Sequence, residues 1–248
     1  MSLRREHIYI EKKQIKQSCI FEKIILYSIY QVFANVFEVI GVSKSMRLYI
    51  IRHGETDWNV KRRFQGRSDI PLNEEGRRLA RITAEALREV PFTKIYTSPL
   101  KRAYETALII KGDRELPVME EHRIIEISFG EYEGLCCGKE NYNIPDPEFM
   151  NFFDKPEAYR PPKGAEGIDE LKARTADFLQ EIVYNKDMAD DTILVSTHGA
   201  ALRGLLSNIQ HIGIEDFWEG GVHKNCAVTI VDVKDGQMVI TEEGKTYY

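Results

Sequence analysis

Leu48-Tyr49-Ile50-Ile51 is an apolar run that stops abruptly at Arg52-His53-Gly54. Such a run reads as a buried strand delivering a cation and an imidazole to its C-terminal edge, where the chain then turns. That edge suits a phosphate monoester dianion. The guanidinium supplies a fork for phosphate oxygens, and a neutral imidazole can attack phosphorus. Taken alone, a His after a strand is more often a hydrogen-bonded structural residue, so the rest of the chain has to decide.

From Met46 onward the pattern alternates strands and helices. Leu48–Ile51, Lys94–Thr97 and Thr192–Ser196 read as strands. Asn73-Glu74-Glu75 reads as an N-cap with first-turn acids, opening a helix to about Glu89. Ser98-Pro99 reads as the cap of a second helix to about Ile110. Val118–Ile127 reads as extended, Pro145–Phe153 as a short helix and Ile168–Asn185 as a long one. Ala200–Ser207 follows as a helix, then two strands, Ala227–Val233 and Met238–Thr241, joined at Asp235-Gly236. Strands separated by helices predict an α/β fold: a three-layer α/β/α sandwich around a mostly parallel central sheet.

In a parallel sheet the C-terminal strand edges lie on one side. Ile95-Tyr96-Thr97 leads into Ser98-Pro99-Leu100-Lys101-Arg102, and Ile193-Leu194-Val195-Ser196 leads into Thr197-His198-Gly199. Arg52, His53, Arg102 and His198 can therefore converge, with helix N-termini adding backbone N–H donors for an anion. Individually, Arg102 reads as a solvated helix Arg and His198 as a satisfied core His. Together, at three parallel strand ends, they read as a site.

The chain resembles the histidine phosphatase superfamily, with its phosphoglycerate-mutase-like fold. The matching segments are Arg52-His53-Gly54-Glu55-Thr56-Asp57-Trp58-Asn59, Gln65-Gly66, Asp69-Ile70-Pro71-Leu72-Asn73, Thr97-Ser98-Pro99-Leu100-Lys101-Arg102-Ala103, Glu126 through Gly134, and His198-Gly199. They span residues 46 to about 240. The resemblance implies that His53 is the nucleophile and that Arg52, Arg102 and His198 hold the phosphoryl group. It implies that Asn59, Gln65, Gly66 and Gly199 complete the phosphate pocket. Glu126 would protonate the leaving oxygen and then activate water; among 39 acidic residues only its place in the motif selects it. No metal and no cofactor are implied. This chain departs from its relatives at Tyr132, where they often have Trp. It also departs at Gly164-Ala165-Glu166-Gly167, which lacks a hydroxyl N-cap, and at Cys136-Cys137.

The resemblance admits a phosphatase, a mutase or a non-catalytic phospho-ligand binder. Only 71 residues separate Glu126 from His198, and Ala200 rather than Asn follows Gly199. Both features favour hydrolysis, and the presence of both His53 and Glu126 favours catalysis over mere binding. The expected partner is a small-molecule phosphate monoester. Specificity is expected in Asn141–Ala165 and around Arg62-Arg63, with Tyr142, Phe152, Phe153, Tyr159, Arg160 and Lys163 as candidate contacts.

A net charge of −5 argues against a nucleic-acid partner. Cys19, Cys136, Cys137 and Cys226 make no zinc-spaced cluster, and the chain is expected to be cytoplasmic, with its thiols reduced. Residues 1–45 stand apart as an N-terminal extension: they carry +3 while 46–248, the expected catalytic domain, carry −8. Ile24–Val42 is apolar enough for an interaction helix or, with Gln31, Asn35 and Glu38 inside it, a marginal membrane anchor. A third reading starts the natural product at Met46.

Overall fold

Strand β1 (Met46–Arg52) is apolar on both faces because both are covered. Leu48 and Ile50 enter one cluster with Phe178, Leu202 and Leu205. Tyr49 and Ile51 enter a second with Leu79, Ala80, Ala107 and Ile110. Leu48, Ile50 and Ile51 have no exposed surface, and each such burial contributes about 1.5–3 kcal/mol. The computed structural model describes residues 45–248. The three readings of the N-terminal extension lie outside the described residues.

After β1 come α1 (Asp57–Val60), α2 (Glu74–Ala86), β2 (Lys94–Thr97), α3 (Lys101–Lys111), β3 (Val118–Glu120), α4 (Asn151–Asp154), α5 (Ile168–Tyr184), β4 (Thr192–Thr197), α6 (Gly199–Ile209), β5 (Val228–Lys234) and β6 (Gln237–Lys245). The sheet order is β3-β2-β4-β1-β5-β6. β1, β4, β2 and β3 pair in parallel, whereas β5 is antiparallel to both neighbours. Helices α5 and α6 supply the first cluster and α2 and α3 the second, so the three-layer expectation holds. Register then places the site: Arg52 lies beside Thr197, and Ser196 lies beside both Ile51 and Thr97. Three strand ends finish together.

Several boundaries differ from the sequence expectation. β3 stops at Glu120, because its partner β2 ends at Thr97, directly opposite. The chain beyond it turns through a 3₁₀ helix, His122–Ile124, that Glu121 caps. The expected short helix splits into a 3₁₀ turn, Pro147–Met150, and the single turn α4. Ser98 does not cap α3. Leu100 is the N-cap without a side-chain bond, and Asp69 Oδ1 accepts the Lys101 N–H at 2.8 Å instead. Asn73 does cap α2, accepting from Gly76 N at 2.7 Å, although the helix ends at Ala86. Gly167 begins α5 bare, and Glu170 reaches back to its N–H at 2.8 Å. A third apolar cluster of Phe64, Phe129, Phe149, Phe152, Tyr159 and Phe217 fills the space beneath the 3₁₀-rich segment. Among the described residues no helix is long and apolar enough to cross a membrane.

Candidate active site

The end of β1 is tied to its neighbours before any ligand enters. His53 N donates to Thr197 O at 2.9 Å, and Asn225 Nδ2 donates to His53 O at 3.0 Å. Gly54 lets α2 approach: a Cβ there would meet Gly76 O at 2.6 Å. Gly54 N donates to Thr106 Oγ1 at 3.0 Å, and that hydroxyl donates to Arg102 O at 2.7 Å, joining the strand end to α3.

The His53 ring is buried, with Nδ1 2.6 Å from Gly54 O. A carbonyl only accepts, so Nδ1 carries the proton and Nε2 keeps its lone pair. Burial holds this imidazole well below the usual histidine range, with the Arg102 and Arg52 cations adding to the effect. His198 is shifted the same way by burial and by Arg102. Its ring lies 5.2 Å from that of His53, centre to centre. His198 Nε2 is 2.6 Å from Ser98 Oγ, which also receives the Leu100 N–H at 3.4 Å. A neutral His198 that accepts from Ser98 presents its proton on Nδ1.

Arg102 is fully buried, its two terminal nitrogens donating to Ser68 O at 2.8 Å and Gly66 O at 2.7 Å. Burial pushes its pKa down to about 10, so it stays cationic at neutral pH. Arg52 Nη1 donates to His223 O. Three nitrogens here are buried with no partner among the described residues: Arg52 Nε, Arg102 Nε and His198 Nδ1, the last a donor in the tautomer that accepts from Ser98. An unpaired buried donor costs about 1–3 kcal/mol. Arg52 and Arg102 line the same cavity as His53, and His198 lies beside it, so donors of this kind suit an anion at the imidazole.

Glu126 lines the same cavity. Its Oε1 accepts from Ile127 N at 2.9 Å and Ala201 N at 3.0 Å, and its Oε2 accepts from Ala200 N at 3.3 Å. Glu126 thus takes the Ala200 and Ala201 amides of α6, and Asp69 takes that of Lys101, so these helix N-terminal donors are engaged within the chain. A Cβ on Gly199 would lie 3.8 Å from both Arg52 Nε and Glu126 Oε2, so both groups adjoin this glycine. Arg67 Nε donates to Glu126 O at 3.4 Å, and Glu166 pairs with Arg67 and, through two bonds, with Arg174. Buried Glu166 therefore anchors the turn that carries Glu126.

Eight predicted site residues line one cavity of about 210 Å³: Arg52, His53, Asn59, Gln65, Gly66, Arg102, Glu126 and Gly199. The ninth, His198, lies beside His53 outside the lining. Asn59 closes a capping box with Thr56, and Thr56 Oγ1 is 3.0 Å from Gln65 Oε1. Gly66 leaves room for Glu133, whose carboxylate a Cβ would strike at 2.1 Å. Glu133 in turn accepts from Arg67 N, Ser68 N and Phe129 N, shaping the loop that holds Arg102. Of the expected specificity residues, Phe152 and Phe153 line the cavity, and so do Arg62 and Arg63. Tyr142, Tyr159, Arg160 and Lys163 do not; Tyr159 packs against Phe149 and Phe152. Sequence reasoning missed Trp58, Trp218 and Cys137 in the lining, and Ser98, Thr106 and Asn225 behind it. Among the described residues no three His, Cys, Asp or Glu side chains group as metal ligands would.

Comparison with known proteins agrees with this geometry. Residues 48–246 match the profile of the histidine phosphatase superfamily (branch 1). Phosphoserine phosphatase 1 of Hydrogenobacter thermophilus is 30% identical over 195 residues, covering 79% of this chain and 90% of the relative. A 2,3-bisphosphoglycerate-dependent phosphoglycerate mutase 2 of Gloeobacter violaceus is 32% identical over 171 residues, covering 68% of this chain and 77% of the relative. The solved structure of Bacillus stearothermophilus YhfR superposes with a TM-score of 0.75 at 34% identity, covering 81% of this chain and 98% of that one.

Proposed function

The chain belongs to the histidine phosphatase superfamily and is a phosphatase of that family, and from that premise we propose that residues 46–248 hydrolyse small phosphate monoesters through a phosphohistidine on His53. The observation that carries the reading is that Arg52 Nε, Arg102 Nε and His198 Nδ1 are buried without partners on residues grouped at the His53 ring, whose Nδ1 is taken by Gly54 O.

In the first step His53 Nε2 forms a bond to phosphorus as the ester oxygen leaves, and Glu126 gives that oxygen its proton. Arg52 Nε, Arg102 Nε and His198 Nδ1 receive the phosphoryl oxygens as charge spreads over them. In the second step water attacks the phosphohistidine, Glu126 takes its proton, and inorganic phosphate departs from a neutral His53. Loss of one donor is expected to raise the barrier by about 3–4 kcal/mol, by analogy with an oxyanion hole. Every group in this scheme belongs to the chain itself.

Release of 4-nitrophenol from its phosphate ester in excess chelator tests the proposal. Turnover should persist, His53→Ala should abolish it with the fold intact, and quenched wild-type enzyme should carry an acid-labile, base-stable phosphoryl group. Abolition by chelator, or full activity in His53→Ala, refutes the mechanism. Isomerisation of 3-phosphoglycerate primed by a bisphosphate, faster than its hydrolysis, would move the chain to the mutase reading.

A further inference from the structure

Arg62 is a cation at the cavity mouth that the phosphoryl chemistry does not use. It lines the pocket, is exposed, and has no ion pair or guanidinium hydrogen bond among the described residues. Its neighbour Arg63 is already engaged, donating to Gly134 O at 2.7 Å. Arg62 also has φ 51, in the left-handed region that a residue with a Cβ enters only at a cost.

The strained turn is fastened by Cys136-Cys137. Cys137 N donates to Arg62 O at 3.0 Å, and Cys137 Sγ lies 3.3 Å from the same oxygen. Cys136 Sγ lies 3.2 Å from Lys61 O, and Cys136 bridges Arg63 in a short antiparallel pair. Gly138 leaves the Arg62 stem its space, since a Cβ there would meet Arg62 Cδ at 3.3 Å. Two small thiols and a glycine therefore hold one arginine at the rim.

The cavity that Arg62 shares with the phosphoryl site is also lined by half-buried aromatics, Trp58, Phe153 and Trp218. Trp218 packs on Phe152 and Phe153 at ring distances of 5.1 and 5.0 Å. We infer that the enzyme selects phosphate monoesters whose alcohol part is a compact hydrophobic or aromatic body bearing a second negative group, which Arg62 receives at the mouth. The inference rests on the phosphatase reading and adds the substrate class. Phosphoserine offers Arg62 a carboxylate but no hydrophobic body, and its ammonium group would enter the aromatic slot unpaired, so it is disfavoured.

The test compares 4-carboxyphenyl phosphate with its uncharged isostere 4-carbamoylphenyl phosphate. Wild-type enzyme should show a KM about tenfold lower for the carboxylate, equivalent to about 1.4 kcal/mol. The preference should shrink with added salt. Arg62→Gly relieves the positive φ, so the fold should survive, and it should bring the ratio of KM values to about one. Arg62→Lys should retain part of the preference. Absence of a carboxylate preference in an enzyme that hydrolyses 4-nitrophenyl phosphate overturns this inference alone. So does an Arg62→Gly variant that keeps the preference, or a kcat/KM for phosphoserine above that for the carboxylate ester. An enzyme that hydrolyses none of these esters overturns the phosphatase reading and this inference with it.

Discussion

Glu126→Gln separates proton transfer from the architecture that holds the carboxylate. In the variant the amide oxygen can occupy the Oε1 position, keeping the bonds from Ile127 N at 2.9 Å and Ala201 N at 3.0 Å. Its NH₂ then faces Ala200 N, and only the longest bond, 3.3 Å, is lost. Leaving that N–H unpaired costs about 1–3 kcal/mol, within the 5–15 kcal/mol that typical domains hold in reserve. The fold should therefore persist. Chemistry should not, because general acid catalysis contributes about 10²- to 10⁴-fold. The assay is kcat/KM, which reports phosphoryl transfer to His53 and is blind to the later hydrolysis. For glycerol phosphate, whose alkoxide is a poor leaving group, kcat/KM should fall by about 10²- to 10⁴-fold. For 4-nitrophenyl phosphate, which departs without a proton, it should barely move. Since Glu126 also activates the second water, the variant should give a burst of one nitrophenolate per active site and then stall. Equal losses of kcat/KM on both esters with no burst would refute the acid role and leave Glu126 as a scaffold for the α6 N-terminus.

Two further predictions concern the imidazoles. Ser98→Ala removes the hydroxyl 2.6 Å from His198 Nε2 and with it the partner that fixes the tautomer. It should lower kcat about tenfold or more, with Ser98→Thr restoring part of it, as seen for other orienting groups behind a functional histidine; an unchanged kcat would show that His198 needs no orientation. His53 and His198 are both held below the usual histidine pKa of about 6.5. The acid limb of kcat/KM should therefore lie below about pH 6.5, and a limb at or above it would contradict a buried neutral His53. The sign for stability is the same. The unfolded chain takes up protons on these histidines that the native state refuses. Stability present above about pH 6.5 should thus be lost as pH falls toward the native values, which thermal melts would register.

The fold was legible because its signals are local. β1 shows no polar alternation when both faces are covered, and the chain from Met46 repeats the strand-then-helix pattern often enough to define the layers. Arg52, His53, Arg102 and His198 were legible because strand ends in a parallel sheet share an edge, and the register brings them there. Errors fell where local signals were traded for tertiary ones. Ser98 has the chemistry of an N-cap, but its hydroxyl is turned toward His198. Val118–Ile127 has strand composition, but β2 is too short to pair with all of it.

Glu126 marks the limit of residue-level reading, and the structure shows why. No residue near it in sequence announces a proton donor; its position depends on α6 amides 74 and 75 residues away and on the Arg67–Glu166–Arg174 set that grips its turn. Such a site is assembled from separations that no local window spans, so only the motif resemblance pointed to it. Cys136-Cys137 is the same problem in reverse: a conspicuous pair, expected as reduced thiols with no role legible in the sequence, whose partners are the carbonyls of Lys61 and Arg62, 75 residues upstream. Burial raises the Cys137 thiol pKa, which leaves it protonated at neutral pH and a poor nucleophile. Cys137 is therefore suited to packing rather than to attack, and the small size and weak S–H donors of the two residues account for their place beneath the Arg62 turn.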